Sequence, residues 1–502
     1  MTTAVDSTNG PTAPAHRGLR KLATRSLVYT IGGIVLRGAG FLLLPVYTRL
    51  LTRGDYGIVA VAGVVTQILT IVFSLGLQNA AVRLHVSLPD EEARRRAMGT
   101  LWIVMASISI AGALALDIIG TRSGHLGFQS IPFHPYIRLA IWAACFNGLS
   151  QLPPFIYQAQ ERPHAYVSLA LFSQLFTYAC IVGMLVLQLD GARSYLTGHL
   201  IAMGLLAPLY LWITFRYARL SFDSGIARIA LRFGLPLVPH ALATWVLDFS
   251  DRLVLDRYVS LEELGLYSLA YTFGSLMALT AVSLNNAWLP AFYRMLDQPA
   301  DGLRDRLPSL LTYYVLALSF AAAVQIAIVG ELIRIFTAPP FHAAARLAPW
   351  IILGQLLAGL YNVPSNYLLH ARRTWVLPLV TAAAGVVNVT LNLLLVPQYG
   401  AAAAAWTTAG CYGLMLLLGW WASERFERAP YEYGRIARIA LAVAVTAGLA
   451  ALVPPLPLLA AALAKLGVVL AFPVTLLLTG FFSDEERRLA LAYALRLRGA
   501  VR

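Results

Sequence analysis

The first residue in this sequence that asks for a function is a guanidinium inside an apolar run. Arg37 lies about ten residues from either edge of the stretch 26–48, at a depth where an insertion scale charges an arginine roughly 2.5 to 3.5 kcal/mol. Its side chain must therefore face protein or water, and Gly33 and Gly40, close to it at helical spacing, leave room beside it. The planar fork suits a pyrophosphate bidentately. The competing reading is a structural cation paired with a carboxylate such as Asp248.

Asp248, Asp251 and Arg252 stand at i, i+3 and i+4 near the outer end of a later apolar run, on one helical face. The spacing predicts an Asp248 to Arg252 pair. Such a group is either a gate or a site whose protonation couples to a cation gradient, or else a helix-end charge cluster at the interface. His240 precedes it on the same run, after Pro236 and Pro239, and can titrate near neutral pH or serve as a satisfied polar residue. Arg83 and Arg232, at inner helix ends, are candidates to hold a pyrophosphate at entry, against plain snorkelling to the headgroups. Gln67, Asn79, Gln151, Gln174, Asn285, Asn286, Asn362 and Asn388 fall inside apolar runs, where they either line a wet cavity or join helices by hydrogen bonds. Asp117 and Lys465 lie near outer ends, where interfacial anchoring suffices. The three cysteines are far apart, no metal set is visible and no cofactor is expected.

The elements that carry these residues are membrane spans. Of 502 residues 59% are apolar and only 12% charged, against about 25% charged in a soluble domain. The chain is therefore expected to be an all-α membrane protein. Its net charge of +14 reflects orientation in the bilayer and not a nucleic-acid partner. About 14 segments approach the ~20 residues needed to cross ~30 Å of hydrocarbon. Links assigned inside, with their span-edge residues, hold 27 of the 38 Lys and Arg, and those assigned outside hold 9. That bias places both termini in the cytoplasm. None of the outside links is long enough for a catalytic domain.

A slide of 208 residues lays Arg49, Thr52, Asp55 and Gly57 on Arg257, Ser260, Glu263 and Gly265. A slide of 210 lays Pro154, Tyr157 and Arg162 on Pro364, Tyr367 and Arg372. Two copies of a six-helix unit follow, at 26–215 and 226–421, and 436–481 adds two further spans. Because six is even, the lobes should be related by a pseudo-two-fold axis along the membrane normal, with a substrate cavity between them. Residues 1–25 are a cytoplasmic, basic, disordered tail, and 482–502 a cytoplasmic amphipathic tail that opens with Ser483 and Glu486 in capping-box spacing.

The segments LPVYTRLLTRGDYG at 44–57, DRLVLDRYVSLEELGLYSLAY at 251–271 and NVTLNLLLVPQYGAAAAAWTT at 388–408 resemble polysaccharide flippases of the Wzx type. These belong to the multidrug/oligosaccharidyl-lipid/polysaccharide exporter superfamily. The resemblance implies a non-enzymatic transporter of the bacterial inner membrane. Its cargo would be a polyprenyl-pyrophosphate-linked glycan moved between leaflets by alternating access, with membrane lipid and polysaccharide polymerase machinery as partners. The usual GAA after the P-x-Y-G turn reads Ala401-Ala402-Ala403 here. A multidrug antiporter of the same superfamily would want a mid-span acid in the first lobe, and none is there. A membrane glycosyltransferase or polymerase would need an acidic motif in a large outer loop.

Overall fold

The computed structural model describes residues 38–124, 127, 128, 130–187, 190–297, 306–454 and 456–484, with 28, 32, 33, 35, 36, 486 and 488. Arg37, the tail 1–25 and most of 482–502 lie outside the described residues. Within them all regular structure is helical. The elements are α1 Leu44–Leu50, α2 Arg53–Ser74, α3 Leu77–Ser87, α4 Glu91–Ser123, α5 Arg138–Ser150, α6 Leu152–Ala159, α7 Pro163–Val186, α8 Gly191–Tyr217 and α9 Ser224–Gly234. There follow α10 Leu237–Tyr258, α11 Leu261–Asp297, α12 Leu307–Phe336, α13 Ala348–Leu360, α14 Asn362–His370, α15 Val376–Phe426, α16 Tyr433–Leu452, α17 Leu458–Val469 and α18 Ala471–Leu478. Among the described residues ten helices are long and apolar enough to cross a membrane, or eleven if the bent pair Pro339–Arg346 and Ala348–His370 is one span. The molecule is an all-α, multi-pass membrane protein.

Breaks in the helices follow from local chemistry. As one rod, the 51 residues of α15 would reach about 76 Å, more than twice the hydrocarbon thickness. Gly400 interrupts it at φ 63, ψ −147, a conformation essentially confined to glycine. A Cβ there would stand 2.3 Å from Glu263 Oε1, because that carboxylate accepts a hydrogen bond from Ala401 N–H at 2.7 Å. Glu263 thus caps the helix that restarts after the break. The stretch 226–250 falls within one candidate span, Ser224–Tyr258, interrupted at Leu235 and Pro236 between α9 and α10, since proline supplies no N–H to continue the ladder.

The molecule divides into two compact units, Met1–Leu50 with Ala62–Leu242, and Leu51–Val61 with Ala243–Arg502. In the first, Leu77, Ala81, Met98, Leu101, Leu152, Ile156 and Ala230 form a core where α3, α4, α6 and α9 meet. In the second, Leu247, Leu368, Val380, Ala384, Tyr412 and Met415 join α10, α14 and α15. Ala323, Ile439, Ala442, Phe472 and Leu476 seat α16 and α18 on α12.

Caps and turns recur at the positions that the sequence slide pairs. At the first position, Thr52 Oγ1 and Asp55 Oδ2 lie 2.7 Å apart and each accepts from the other residue's N–H, a reciprocal box at the start of α2. In the second copy Ser260 Oγ accepts from Glu263 N–H at 3.3 Å, and the acid has turned away to Ala401. Arg162 N–H reaches Tyr157 O at 2.9 Å after Glu161 at φ 54, and Arg373 N–H reaches Leu368 O at 2.9 Å after Arg372 at φ 56. The turns correspond at a slide of 211, one residue beyond the register that sequence identity favours.

Candidate functional site

The segment WVLDFSDRLVLDRY at 245–258 builds the site on α10, where Asp248, Asp251 and Arg252 share a face. Two residues of α11, Tyr267 and Tyr271, stand one turn apart on a face turned toward them. Gln355 comes from α13 and Tyr412 from the second half of α15. All belong to the second unit.

The expected Asp248 to Arg252 side-chain pair is not formed. Arg252 Nη1 donates to Asp251 Oδ1 at 3.2 Å and to the backbone carbonyl of Asp248 at 2.9 Å. The Asp248 carboxylate turns instead to α15, where it accepts from Tyr412 Oη at 2.8 Å. Asp251 Oδ2 accepts from Tyr267 Oη, and Tyr271 Oη accepts from Gln355 Nε2 at 3.2 Å. Aromatic faces enclose the guanidinium, with Tyr271 at 4.2 Å and Phe249 at 5.1 Å from Arg252 Cζ. The reason for the altered pairing is geometric. Ring faces occupy the sides of the cation, so it bonds along its edge to Asp251, and the carboxylate a turn earlier is free to follow the phenol of the neighbouring helix.

This cluster is packed inside protein. Asp251 and Arg252 are 2% and 6% exposed. In such surroundings a charge persists only if it is paired and hydrogen-bonded. Arg252 and Asp251 satisfy one another, whereas Asp248 is half-buried and bonded to the neutral Tyr412 phenol. Two carboxylates against one guanidinium leave one formal negative charge when both are ionised.

The remaining candidates divide by position. Arg83 on α3 is exposed and lies over the Phe233 ring at 4.8 Å, and Arg232 is the neighbouring residue on α9, so two of the entry arginines are brought to one helix pair in the first unit. Arg37 lies outside the described residues, and the same holds for the side chain of His240. Gln67, Asn79 and Asn286 are exposed, and Gln151 and Asn362 half-buried. Gln174 donates to the Leu36 carbonyl at 2.9 Å, tying α7 to the chain before α1.

Two of these amides are hydrogen-bonded to other amides. Asn285 accepts from Asn366 at 3.0 Å. Asn388, 1% exposed, accepts from Asn392 at 3.1 Å, and Asn392 in turn accepts from Thr407 at 2.6 Å across the two halves of α15. An amide i, i+4 from another amide finds its partner on its own helix before it can reach open space.

Asp117 and Lys465 are likewise paired and not simply anchored at the interface. Asp117 Oδ2 accepts from Arg138 Nε at 3.2 Å, and Lys465 Nζ meets the buried Glu331 Oε1 at 3.1 Å. Sequence reasoning missed Tyr267, Tyr271, Tyr412, Gln355 and Glu331. The spacing of the two tyrosines in YSLAY at 267–271 was the one available signal.

The described helices form a multi-pass membrane bundle with a charge cluster shielded inside its second unit. Residues 22–296, more than half of the chain, match the family described as Polysaccharide biosynthesis protein, and the chain belongs to that family. Among curated proteins it is 24% identical over 293 residues to a protein of the Lsg locus of Haemophilus influenzae, covering 55% of this chain and 67% of that one. It is 27% identical over 341 residues to a MurJ of Rhizobium tropici described as a probable lipid II flippase, covering 64% of this chain and 57% of that relative. Of solved structures, the lipid II flippase MurJ in an inward closed conformation superposes with a TM-score of 0.70 at 16% identity, covering 89% of this chain and 98% of that one. An inward-facing multidrug resistance MATE family transporter of the MOP superfamily gives 0.53 at 12% identity, covering 81% and 95%. The chain thus shares the fold of these two structures.

Proposed function

We propose that the chain is a flippase that moves polyprenyl-pyrophosphate-linked oligosaccharide repeat units from the cytoplasmic to the outer leaflet of the bacterial inner membrane by alternating access. The product supplies cell-surface polysaccharide biosynthesis, and both termini stay in the cytoplasm. The family match over residues 22–296 carries this reading. The charge bias of the links supports the orientation.

In this scheme Arg37 engages the pyrophosphate, with Arg83 and Arg232 as cations at the cytoplasmic edge. The cluster of Asp248, Asp251 and Arg252 acts as the charge-sensing gate. With Asp248 empty, a net negative charge in low dielectric is costly. Binding a proton or small cation there removes that cost and shifts the balance between conformers by the difference in affinity. No carrier chemistry is required, because the work is done by charge and by the packing of α10 against α11 and α15.

The decisive assay is transfer of a fluorescent polyprenyl-pyrophosphate glycan across liposomes holding the purified chain, read by access to an impermeant glycosidase. Arg37→Ala should lower the rate at least tenfold with normal protein in the membrane, and Arg37→Lys should restore part of it. Full activity of the alanine variant removes Arg37 from the mechanism. A multidrug antiporter is the second reading, favoured by the unpaired negative charge at Asp248. It requires uptake of cationic dyes by the same vesicles, with no glycan transfer.

A further inference from the structure

We propose that the groove along α9 binds an anionic phospholipid of the leaflet that the charge bias assigns to the cytoplasm. The 22 residues of α10 already extend about 33 Å, enough to cross the hydrocarbon alone. The 11 residues of α9 continue it as part of the 35-residue run Ser224–Tyr258, longer than the hydrocarbon requires, so α9 reaches out to the interface. Its inner face is fixed in the first unit, with Ala227, Ala230 and Gly234 buried and Ala230 in the core shared with α3 and α4.

The outer face carries a groove of about 530 Å³ whose floor is Phe222, Leu231, Leu235 and Pro236 and whose polar members are Ser224, Arg228 and Arg232. Phe222 is 61% and Leu235 47% exposed. The two arginines stand at i and i+4, with Cβ atoms about 6 Å apart, so one phosphate can accept from both forks. Both are exposed, and among the described residues neither has a carboxylate partner. Nearby, by contrast, Arg219 is paired with Glu92 and Arg94 with Glu91. Arg83 over Phe233 adds a third positive charge.

The occupant follows from this chemistry. Unpaired guanidiniums call for an anion and the apolar floor for a chain attached to it, which excludes a free phosphate. A glycan would need polar partners beyond the phosphate, and the groove offers only the Ser224 hydroxyl. An ordinary anionic glycerophospholipid satisfies every part of the lining. Its occupancy would hold α9, and with it the entry of α10, at the membrane surface.

The test is native mass spectrometry of the full-length chain titrated with phosphatidylglycerol or phosphatidylcholine. The wild type should retain phosphatidylglycerol preferentially, and Arg228→Gln with Arg232→Gln should reduce that preference about tenfold. Arg425→Gln, at a distant exposed arginine over Trp421, should not. Arg228→Lys with Arg232→Lys should keep most of it, and unfolding temperatures without added lipid should stay unchanged. An undiminished preference in the double glutamine variant overturns the proposal. Displacement by millimolar inorganic phosphate also overturns it, as does retention of a polyprenyl diphosphate with no retention of phosphatidylglycerol.

Discussion

Asp248 and Asp251 stand one turn apart on α10, yet their substitution should have different consequences. Asp251→Asn removes the only carboxylate bonded to a guanidinium 6% exposed. Stranding a buried charge in this way costs about 3–5 kcal/mol, so the variant should unfold at markedly lower temperature in detergent. Asp248→Asn retains an acceptor for the Tyr412 phenol and relieves the excess negative charge, so its stability should stay within about 1 kcal/mol of wild type. That variant should still move cargo downhill but lose the response to an imposed proton or sodium gradient. Equal destabilisation by both would show that Asp248 is also a structural ion. His370 is a different kind of residue. Its ring nitrogens lie 3.0 Å from Glu427 Oε2 and 3.0 Å from Asp297 Oδ1, a geometry satisfied only when both nitrogens carry protons. The imidazolium then ties together the ends of α11, α14 and α15.

At the scale of elements, the turn at Gly400 is where one long apolar stretch becomes two. Gly400→Ala forces a side chain into a backbone region reserved for glycine and against the Glu263 carboxylate. Strain of this kind costs about 1–3 kcal/mol, and displacing Glu263 from Ala401 adds roughly 1 kcal/mol for the lost cap. Reduced thermal stability and reduced membrane yield are expected, while Ala401→Ser, one residue later, should be close to neutral. The turn was legible in the sequence as P-x-Y-G, since proline and glycine punctuate a helix wherever they stand. Its partner was not, because Glu263 lies 138 residues away along the chain.

Across the whole molecule, the start of the C-terminal tail is tied back to helices far earlier in the chain. Ser483 and Glu486 form the expected capping box, with N–H to side-chain distances of 2.8 and 3.3 Å. Glu486 also accepts from Arg435 at 2.9 Å and from Tyr313 at 2.8 Å, which docks the start of the tail on α12 and α16. Partial burial alone would push the Glu486 carboxyl up, but bonds from the Ser483 N–H, Tyr313 and Arg435 hold it below the ordinary value of 4.5. A carboxylate depressed in the folded state stabilises docking fully above its unfolded value, and that contribution is lost as pH falls through the folded one. Limited trypsin digestion at Arg487 and Arg488, after incubation below pH 4.5 and return to neutral for cleavage, should show release only if re-docking is slow. Glu486→Gln gives the direct reading, with faster cleavage at neutral pH. Unchanged cleavage in that variant rules out the latch.

What the sequence determined by itself was everything that depends on periodicity and composition. An excess of apolar residues fixes the solvent, and helix breakers and capping residues mark the ends of elements, because each of these effects acts within a few residues. The capping pairs at Thr52 and Ser260 were legible for the same reason. Tertiary structure alone decided which partner each polar side chain takes. Asp248 had a suitable arginine four residues away and bonded instead to Tyr412, and of the two readings open for Asn388, its amide bonds with Asn392. In a low-dielectric interior every buried polar atom must find a partner, and packing, not spacing along the chain, determines which one comes within 3 Å.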